Sequence, residues 1–397
     1  MERRRIVVTG IGIETSIGAN IKEFTSSLMQ GISGVDKINI FDAQSYRTNK
    51  AAYIKKVTCK DNTRGRIFAI LDNICDQAVR DSALSVSGAD IGVSIGSCLG
   101  NVDCLDKYYD ELVHENDISP LTIMDQPHIH AASYIAQKYN FYNIASVSDT
   151  ACSSAANAIG FAIERIRSGK AEVMLTGGVD PFSRLSQGGF GALKNLTTST
   201  NRPLSDDCDG IVLGEGGGVM IFEELQHALR RNAKIYCEIG GYGIGNDAYH
   251  ETKPDPKSGG AIRALTDCLQ DSSIDICDVD YINAHGTGTR LNDSMELNAI
   301  SKVFGKYAKQ IPVSTIKPMV GHTLGASGAI ELIACIISIQ NKFIPPTINH
   351  LKSMKAFEDI DVIPNKARIV KKLNVALSSS FAFGGNMAVI SCKKYNS

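Results

Sequence analysis

The sequence predicts an α/β protein made of two similar halves, each with a mostly buried sheet. Three observations lead there. Strand-like apolar runs alternate with helical ones along the whole chain, the pattern of layered α/β units. A length of 397 residues is enough for one large α/β unit or two fused halves. And two passages of the first part rhyme with two of the second. Cys152-Ser-Ser-Ala-Ala-Asn-Ala-Ile and His322-Thr-Leu-Gly-Ala-Ser-Gly-Ala-Ile each open a small-residue helix after a strand. Gly214-Glu-Gly-Gly-Gly-Val-Met-Ile and Gly384-Gly-Asn-Met-Ala-Val-Ile each lead from glycines into a β run. The chain then divides near Asn232, into 1–232 and 233–397, with Cys152 and His322 brought together at the centre.

The elements follow in order. Ile6 to Thr9 reads as a buried first strand. Ile67 to Val79 has helical spacing, with Ile67, Ile70, Leu71, Ile74 and Ala78 on one face. Ile91 to Ile95 is a strand ending at Gly96, and Tyr134 to Tyr139 is helical. The run Ile144 to Val147 leads to Cys152, and a helix follows to about Ser168. Val173 to Thr176 is a strand ending at Gly177-Gly178. In the second part, Ile235 to Ile239, Asp280 to Asn283 and Ile311 to Thr315 read as strands, Gly260 to Leu269 and Ala326 to Ile339 as helices, and Lys317 to His322 as a loop. Asn374 to Ser378 and Ala388 to Cys392 are the closing strands.

Bulk properties exclude several classes. A formal net charge of −1 gives no nucleic-acid field. The 11 cysteines are scattered, with no CxxC pair, which suits reduced thiols in the cytoplasm rather than a disulfide scaffold or zinc site. No stretch has the length and purity of a membrane span, and Met1-Glu2-Arg3-Arg4-Arg5 followed by a short apolar run is no signal sequence. Gly10-Ile-Gly12 has Thr15 where a dinucleotide fingerprint needs its third glycine, and Gly214 to Gly218 lacks the Lys-Ser of a phosphate loop.

Four motifs carry chemistry. Cys152 falls at or next to a helix N-terminus, where the dipole and free N–H groups lower a thiol pKa and hold a developing oxyanion. An arbitrary cysteine is a small buried hydrophobe; this neighbourhood, with two distant His motifs, argues for a nucleophile. Asn283-Ala-His285-Gly-Thr287-Gly-Thr289, closing at Asp293, delivers a histidine from a strand to a glycine turn, with Thr287 and Thr289 alternating so that both hydroxyls face one groove. In Lys317-Pro-Met-Val-Gly-His322, a buried lysine needs a partner, and Glu331 on the following helix is the candidate; the alternative is a solvated lysine before a capping loop. Phe381-Ala-Phe383-Gly-Gly forms a tight turn whose N–H groups converge on a neighbouring site, and Phe383 either gates a pocket or packs.

Together these motifs resemble the β-ketoacyl-acyl carrier protein synthases, closest to the type II elongating branch. Val8-Thr-Gly-Ile-Gly, Gly188-Gly-Phe-Gly-Ala, Arg202-Pro-Leu-Ser-Asp-Asp-Cys-Asp-Gly-Ile-Val-Leu-Gly-Glu-Gly and Asp247-Ala-Tyr-His extend the resemblance over the whole chain. It implies a thiolase fold, two similar halves in five αβαβα layers, usually dimeric. It implies that Cys152 takes an acyl group from carrier-protein phosphopantetheine, with the backbone N–H groups of Cys152 and Phe383 as the oxyanion hole. His285 and His322 would stabilise the enolate left by decarboxylation of malonyl on its carrier. Lys317, held by Glu331, would order the site; Thr287 and Thr289 would line the pantetheine tunnel and Phe383 would gate it. No metal or redox cofactor is implied. The implied partners are acyl carrier protein and a second subunit, as a homodimer or as a heterodimer with a chain-length-factor-like chain.

Ala382, where glycine is common, Asn386-Met387 in place of Thr-Asn, and the wording Asp149-Thr-Ala-Cys-Ser-Ser suggest a type II polyketide or aryl-polyene ketosynthase as the runner-up. A thiolase acting on coenzyme A would need a second cysteine near the C-terminus followed by glycine, whereas Cys392 precedes Lys393-Lys394. A non-catalytic partner subunit would lack the nucleophile. Two weaker signals remain. His128-Ile-His130 would sit on a strand, as a metal pair or as packing. Arg64 and Arg66, starting a helix, would meet an acidic carrier protein or be solvated.

Overall fold

The computed structural model describes residues 3–57, 65–85, 89–114 and 127–396. A ten-stranded sheet runs through it. The first half contributes β1 (Ile6–Thr15), β2 (Ile91–Gly96), β3 (Ala145–Ser148), β4 (Val173–Asp180) and β5 (Gly216–Glu224). The second contributes β6 (Cys237–Asn246), β7 (Tyr281–Asn283), β8 (Val313–Ser314), β9 (Val375–Phe381) and β10 (Asn386–Lys393). Their order across the sheet is β8-β7-β9-β10-β6-β1-β5-β4-β2-β3. Each half therefore runs third, second, fourth, fifth, first. The two first strands join antiparallel, with Ile6 opposite Ile239.

The strand senses repeat as well. The second strand is parallel to the third and fourth in each half, and the fifth is antiparallel to the fourth and first. Order and sense agree strand for strand, so the rhymes in the sequence mark equivalent places. Gly214 and Gly384 both precede a fifth strand.

Helices α1 (Arg66–Ser82) and α2 (Ile129–Tyr139) cover the outside of the first half's strands. Helix α3 (Ser154–Arg167) leads out of the cysteine turn. In the second half, α4 (Gly259–Ser272) covers β6 and β10, and α5 (Arg290–Phe304) packs on α4. A short α6 (Lys317–Val320) precedes α7 (Ser327–Asn341). Helices α3 and α7 touch each other and are sandwiched between the strands of the two halves, which completes five α-β-α-β-α layers. Helix α7 is buried on every side from Ser327 to Ile339, mostly by apolar residues, with Glu331 its one charged group, as suits a central-layer helix. Against the sequence expectation, the segment Leu324–Asn341 is by length and composition long and apolar enough to cross a membrane, yet 89% of it is buried inside the protein, as in a core helix.

The structure departs from the sequence expectations at several ends. β1 continues past Thr9 to Thr15 through Gly10 and Gly12. The glycines do not turn the chain there; a Cβ on Gly12 would stand 1.7 Å from the carbonyl oxygen of Ile74, so their role is to let α1 lie against the strand. β4 likewise passes through Gly177-Gly178 to Asp180. The supposed loop at Lys317 is a single helical turn, with Pro318 in its first positions, where the missing N–H costs nothing. His128 and His130 stand at the start of α2 rather than on a strand, and the His128 ring nitrogen Nε2 meets the carbonyl of Cys98 at 2.9 Å.

Candidate active site

The cysteine turn follows β3. Ala151 adopts φ +51°, a left-handed conformation that a non-glycine residue keeps only when its surroundings hold it. The hydroxyl of Ser153 donates to the carbonyl of Thr150 at 2.8 Å. The hydroxyl of Ser154 donates to the carbonyl of Ala151 at 2.6 Å and accepts from the N–H of Thr150 at 2.9 Å. Cys152 leaves this turn 6% exposed, two residues before α3 begins. Burial pushes its thiol up to about 12, against the downward pull of the Lys317 ammonium. This reverses the expectation of a lowered thiol pKa: desolvation of the thiolate exceeds the pull of the lysine.

β7 delivers His285. The N–H groups of His285 and Gly286 donate to the two carboxylate oxygens of Glu296 on α5, at 2.7 and 2.8 Å. Glu296 is wholly buried, which pushes its carboxyl up to about 8 despite these bonds. The Nδ1 of His285 lies 3.3 Å from the Lys317 ammonium. An ammonium only donates, so Nδ1 accepts and the ring proton sits on Nε2. His322 reaches the same tautomer differently: its Nδ1 accepts from the N–H of Leu324 at 3.2 Å, with the Ser327 hydroxyl also at 3.2 Å.

The two rings meet edge to face, centroids 5.3 Å apart at 82°. Burial first, and the Lys317 charge second, hold both imidazoles well below their ordinary pKa. Both are therefore neutral donors through Nε2–H at neutral pH. Lys317 is 1% exposed and ion-paired with Glu331 of α7, which removes the solvated alternative. Burial pushes the Glu331 carboxyl up to about 7, partly offset by Lys317.

Cys152, His285, His322, Thr287, Thr289 and Phe383 all line one cavity of about 320 Å³. Lys317 and Glu331 stand behind its wall. Thr287 and Thr289 share the groove because their turn is folded by Gly286 (φ +38°) and Gly288 (φ +87°), not because a strand alternates. Their hydroxyls are 2.9 Å apart, and the N–H of Gly288 donates to Asp293 at 3.2 Å. The Phe383 turn uses Gly384 and Gly385 at φ +76° and +75°. The N–H of Gly384 donates to the carbonyl of Glu251 at 2.7 Å, and the amide of Asn246 donates to the carbonyl of Gly384 at 3.1 Å. The Phe383 ring stacks on Phe190 with centroids 6.0 Å apart.

Several supporting residues escaped the sequence reading. Asp180, at the end of β4, accepts from the Ser97 hydroxyl at 2.7 Å and from the N–H groups of Leu99 at 2.9 Å and Gly325 at 2.6 Å. It so ties the first half to the loop after His322. Glu296 lies eleven residues beyond His285. The Asn201 amide bridges the carbonyls of Gly210 at 2.8 Å and Thr287 at 2.9 Å. A carboxylate or amide inside an ordinary helix or loop carries no periodic signal, so only the fold reveals these partners. Arg66 is neither solvated nor free for a carrier protein: its guanidinium binds buried Glu215 at 2.7 Å and the carbonyl of Ile54 at 2.8 Å. Arg64 lies outside the described residues. Among the described residues, no group of three or more His, Cys, Asp or Glu could hold a metal ion, and the ten described cysteines are all free.

The chain is similar in sequence and in fold to known proteins. The family model "Beta-ketoacyl synthase, N-terminal domain" matches residues 3–228, and "Beta-ketoacyl synthase, C-terminal domain" matches residues 236–351. The chain is 38% identical to 3-oxoacyl-[acyl-carrier-protein] synthase 2 of Coxiella burnetii, over 97% of both chains. It superposes with a TM-score of 0.94 on the ishigamide ketosynthase/chain length factor, at 31% identity over 99% of this chain and 100% of that one. It also superposes with a TM-score of 0.92 on a type II polyketide synthase acyl-carrier protein complex with its ketosynthase bound to the hexaketide, at 30% identity over the whole of both chains.

Proposed function

We infer, because this chain belongs to the β-ketoacyl synthase family, that it condenses an acyl group held on Cys152 with malonyl-acyl carrier protein, with loss of carbon dioxide, to give a β-ketoacyl-acyl carrier protein for fatty acid elongation. The observation that carries this reading is the meeting, in one cavity, of a buried thiol and two neutral imidazoles that each keep an Nε2 proton. The name of the Coxiella relative supports it.

The steps follow from the chemistry of these groups. The Cys152 sulfur attacks the thioester carbonyl of acyl-carrier protein, its proton leaves with the phosphopantetheine thiol, and a new thioester forms. The N–H groups of Cys152 and Phe383 take the oxyanion. Malonyl-carrier protein then enters along Thr287 and Thr289, past Phe383. His285 and His322 donate to its thioester oxygen. The carbon–carboxylate bond breaks, carbon dioxide leaves, and its electron pair becomes the enolate. A neutral donor stabilises an enolate without protonating it, whereas an imidazolium would quench it. The enolate carbon attacks the acyl carbonyl, and the Cys152 sulfur leaves as thiolate, which takes a proton from water to restore the thiol. Lys317, paired with Glu331, fixes the His285 tautomer. Decarboxylation drives the condensation, so the scheme calls on no metal or redox cofactor; phosphopantetheine arrives on the carrier. We place the boundary between the halves at 232/233, the working form as a dimer, and the protein in the cytoplasm.

A second reading, a type II polyketide or aryl-polyene ketosynthase beside a chain-length-factor subunit, is favoured by the likeness to the ishigamide and hexaketide-bound structures. Incubation with labelled acyl-carrier protein tests the shared chemistry: the parent takes the label and Cys152→Ala does not. Label persisting on Cys152→Ala would sink both readings. Native purification with mass analysis separates them. A homodimer that extends saturated acyl chains supports elongation, and a co-purified ketosynthase-like chain without an active cysteine supports the second reading.

A further inference from the structure

The cysteine turn is gripped from outside as well as by its own serines. The amide nitrogen of Asn157 on α3 donates to the Thr150 hydroxyl at 2.6 Å. Thr150 immediately precedes Ala151, the left-handed residue that aims Cys152. The amide oxygen of Asn157 in turn accepts the hydroxyl proton of Tyr242, which stands on β6 in the other half. Burial pushes the Tyr242 phenol above its ordinary pKa, so it remains a protonated donor.

Tyr242 is itself fixed at both ends. Its ring lies flat against Gly160, one turn along α3 from Asn157; a Cβ there would stand 2.4 Å from the ring, so only glycine admits it. Its N–H donates to Asp271 at 2.9 Å, and Asp271 also accepts from Arg167 of α3 at 2.8 Å. A second Arg167 nitrogen donates to the carbonyl of Gly240 at 3.1 Å. The strand is thus pinned to the helix that begins at the nucleophile turn.

We propose that Tyr242 is a positioning residue for Cys152, acting through Asn157 and Thr150. An amide side chain has one accepting and one donating end. The Tyr242 hydroxyl selects which end faces Thr150: with the oxygen occupied by the phenol, the NH₂ points at Thr150 and holds the turn. Without the phenol the amide is free to flip, and the strained turn loses its external tie. The half that bears both histidines thereby sets the aim of the cysteine borne by the other half. This inference rests on Cys152 being the nucleophile of the proposed reaction.

Tyr242→Phe keeps the ring on Gly160 and removes only the donor. The expected result is a fall of about tenfold in the rate of Cys152 acylation and in kcat, with KM for malonyl-carrier protein unchanged, as for one hydrogen bond lost from a reacting geometry. Asn157→Ala should lose as much or more, and the double variant no more than Asn157→Ala alone, because both act through one path. The rate of Cys152 alkylation by iodoacetamide at fixed pH reads the same turn without any carrier protein. Alkylation by Tyr242→Phe within about twofold of the parent, or losses that multiply in the double variant, overturns the relay. Should Asn157→Ala fail to fold, the isosteric Tyr242→Phe decides alone. A parent that carrier protein cannot acylate, but whose alkylation responds to Tyr242→Phe, overturns the proposed function and leaves the relay standing.

Discussion

Cys152 is held as a neutral thiol by its burial, and this has a measurable consequence. With the thiol pushed up to about 12, the thiolate fraction rises about tenfold per pH unit at every pH below that value. The rate of iodoacetamide alkylation should therefore climb from pH 7 to pH 10 without levelling. A plateau near pH 7 would mean that the helix end outweighs desolvation after all. The imidazoles move the other way. Both are held well below the ordinary histidine value by burial and the Lys317 charge, so decarboxylation should show no acid limb as the pH falls through the ordinary imidazole range, about 6.5. His285→Ala or His322→Ala should cut carbon dioxide release about 10²- to 10³-fold, the usual worth of an oxyanion donor, while Cys152 still takes acyl groups. Carbon dioxide release at the parent rate from either variant contradicts the assigned role. Lys317→Ala leaves the Glu331 carboxyl buried and alone, at a cost of about 3–5 kcal/mol in urea unfolding. Lys317→Met with Glu331→Leu should recover that stability but not activity, since the tautomer of His285 is no longer set; recovery of both would refute the positioning role.

Single elements show where sequence patterns speak and where they fall silent. The apolar face of α1 was legible because Ile67, Ile70, Leu71, Ile74 and Ala78 recur with helical period, and all are buried. The length of β1 was not, because Gly10 and Gly12 resemble a turn in sequence and serve a close approach in space. Gly12→Ala would drive a methyl group into the Ile74 carbonyl. The expected cost is about 3 kcal/mol or more, the upper range for overpacking against a fixed backbone, read as a lower thermal midpoint; an unchanged midpoint would show that α1 shifts freely. The Thr287–Thr289 pair illustrates a right outcome from a wrong reason. The hydroxyls share a groove, but two left-handed glycines bring them there rather than strand alternation.

At the scale of the whole molecule, the site exists only where the two halves meet. Cys152 comes from one and both histidines from the other, and the α3–α7 layer between them is what places the two helix starts side by side. Asp180 fastens this seam, binding Ser97 and Leu99 on one side and Gly325 on the other. Asp180→Ala would strand several buried N–H groups, each worth about 1–3 kcal/mol. It should lower both the urea midpoint and kcat; a variant with the parent midpoint would show that the seam does not depend on it. The sequence by itself determined the α/β class, the two similar halves and the motif residues that line the cavity, because apolar period and local glycine and small-residue patterns are short-range properties of a chain. Only the tertiary structure decided the protonation of those residues and the identity of their holders. Desolvation of Cys152, and the hydrogen bonds of Glu296, Asp180, Asn157 and Tyr242 around the cavity, are set by how the layers pack, which joins residues far apart in sequence.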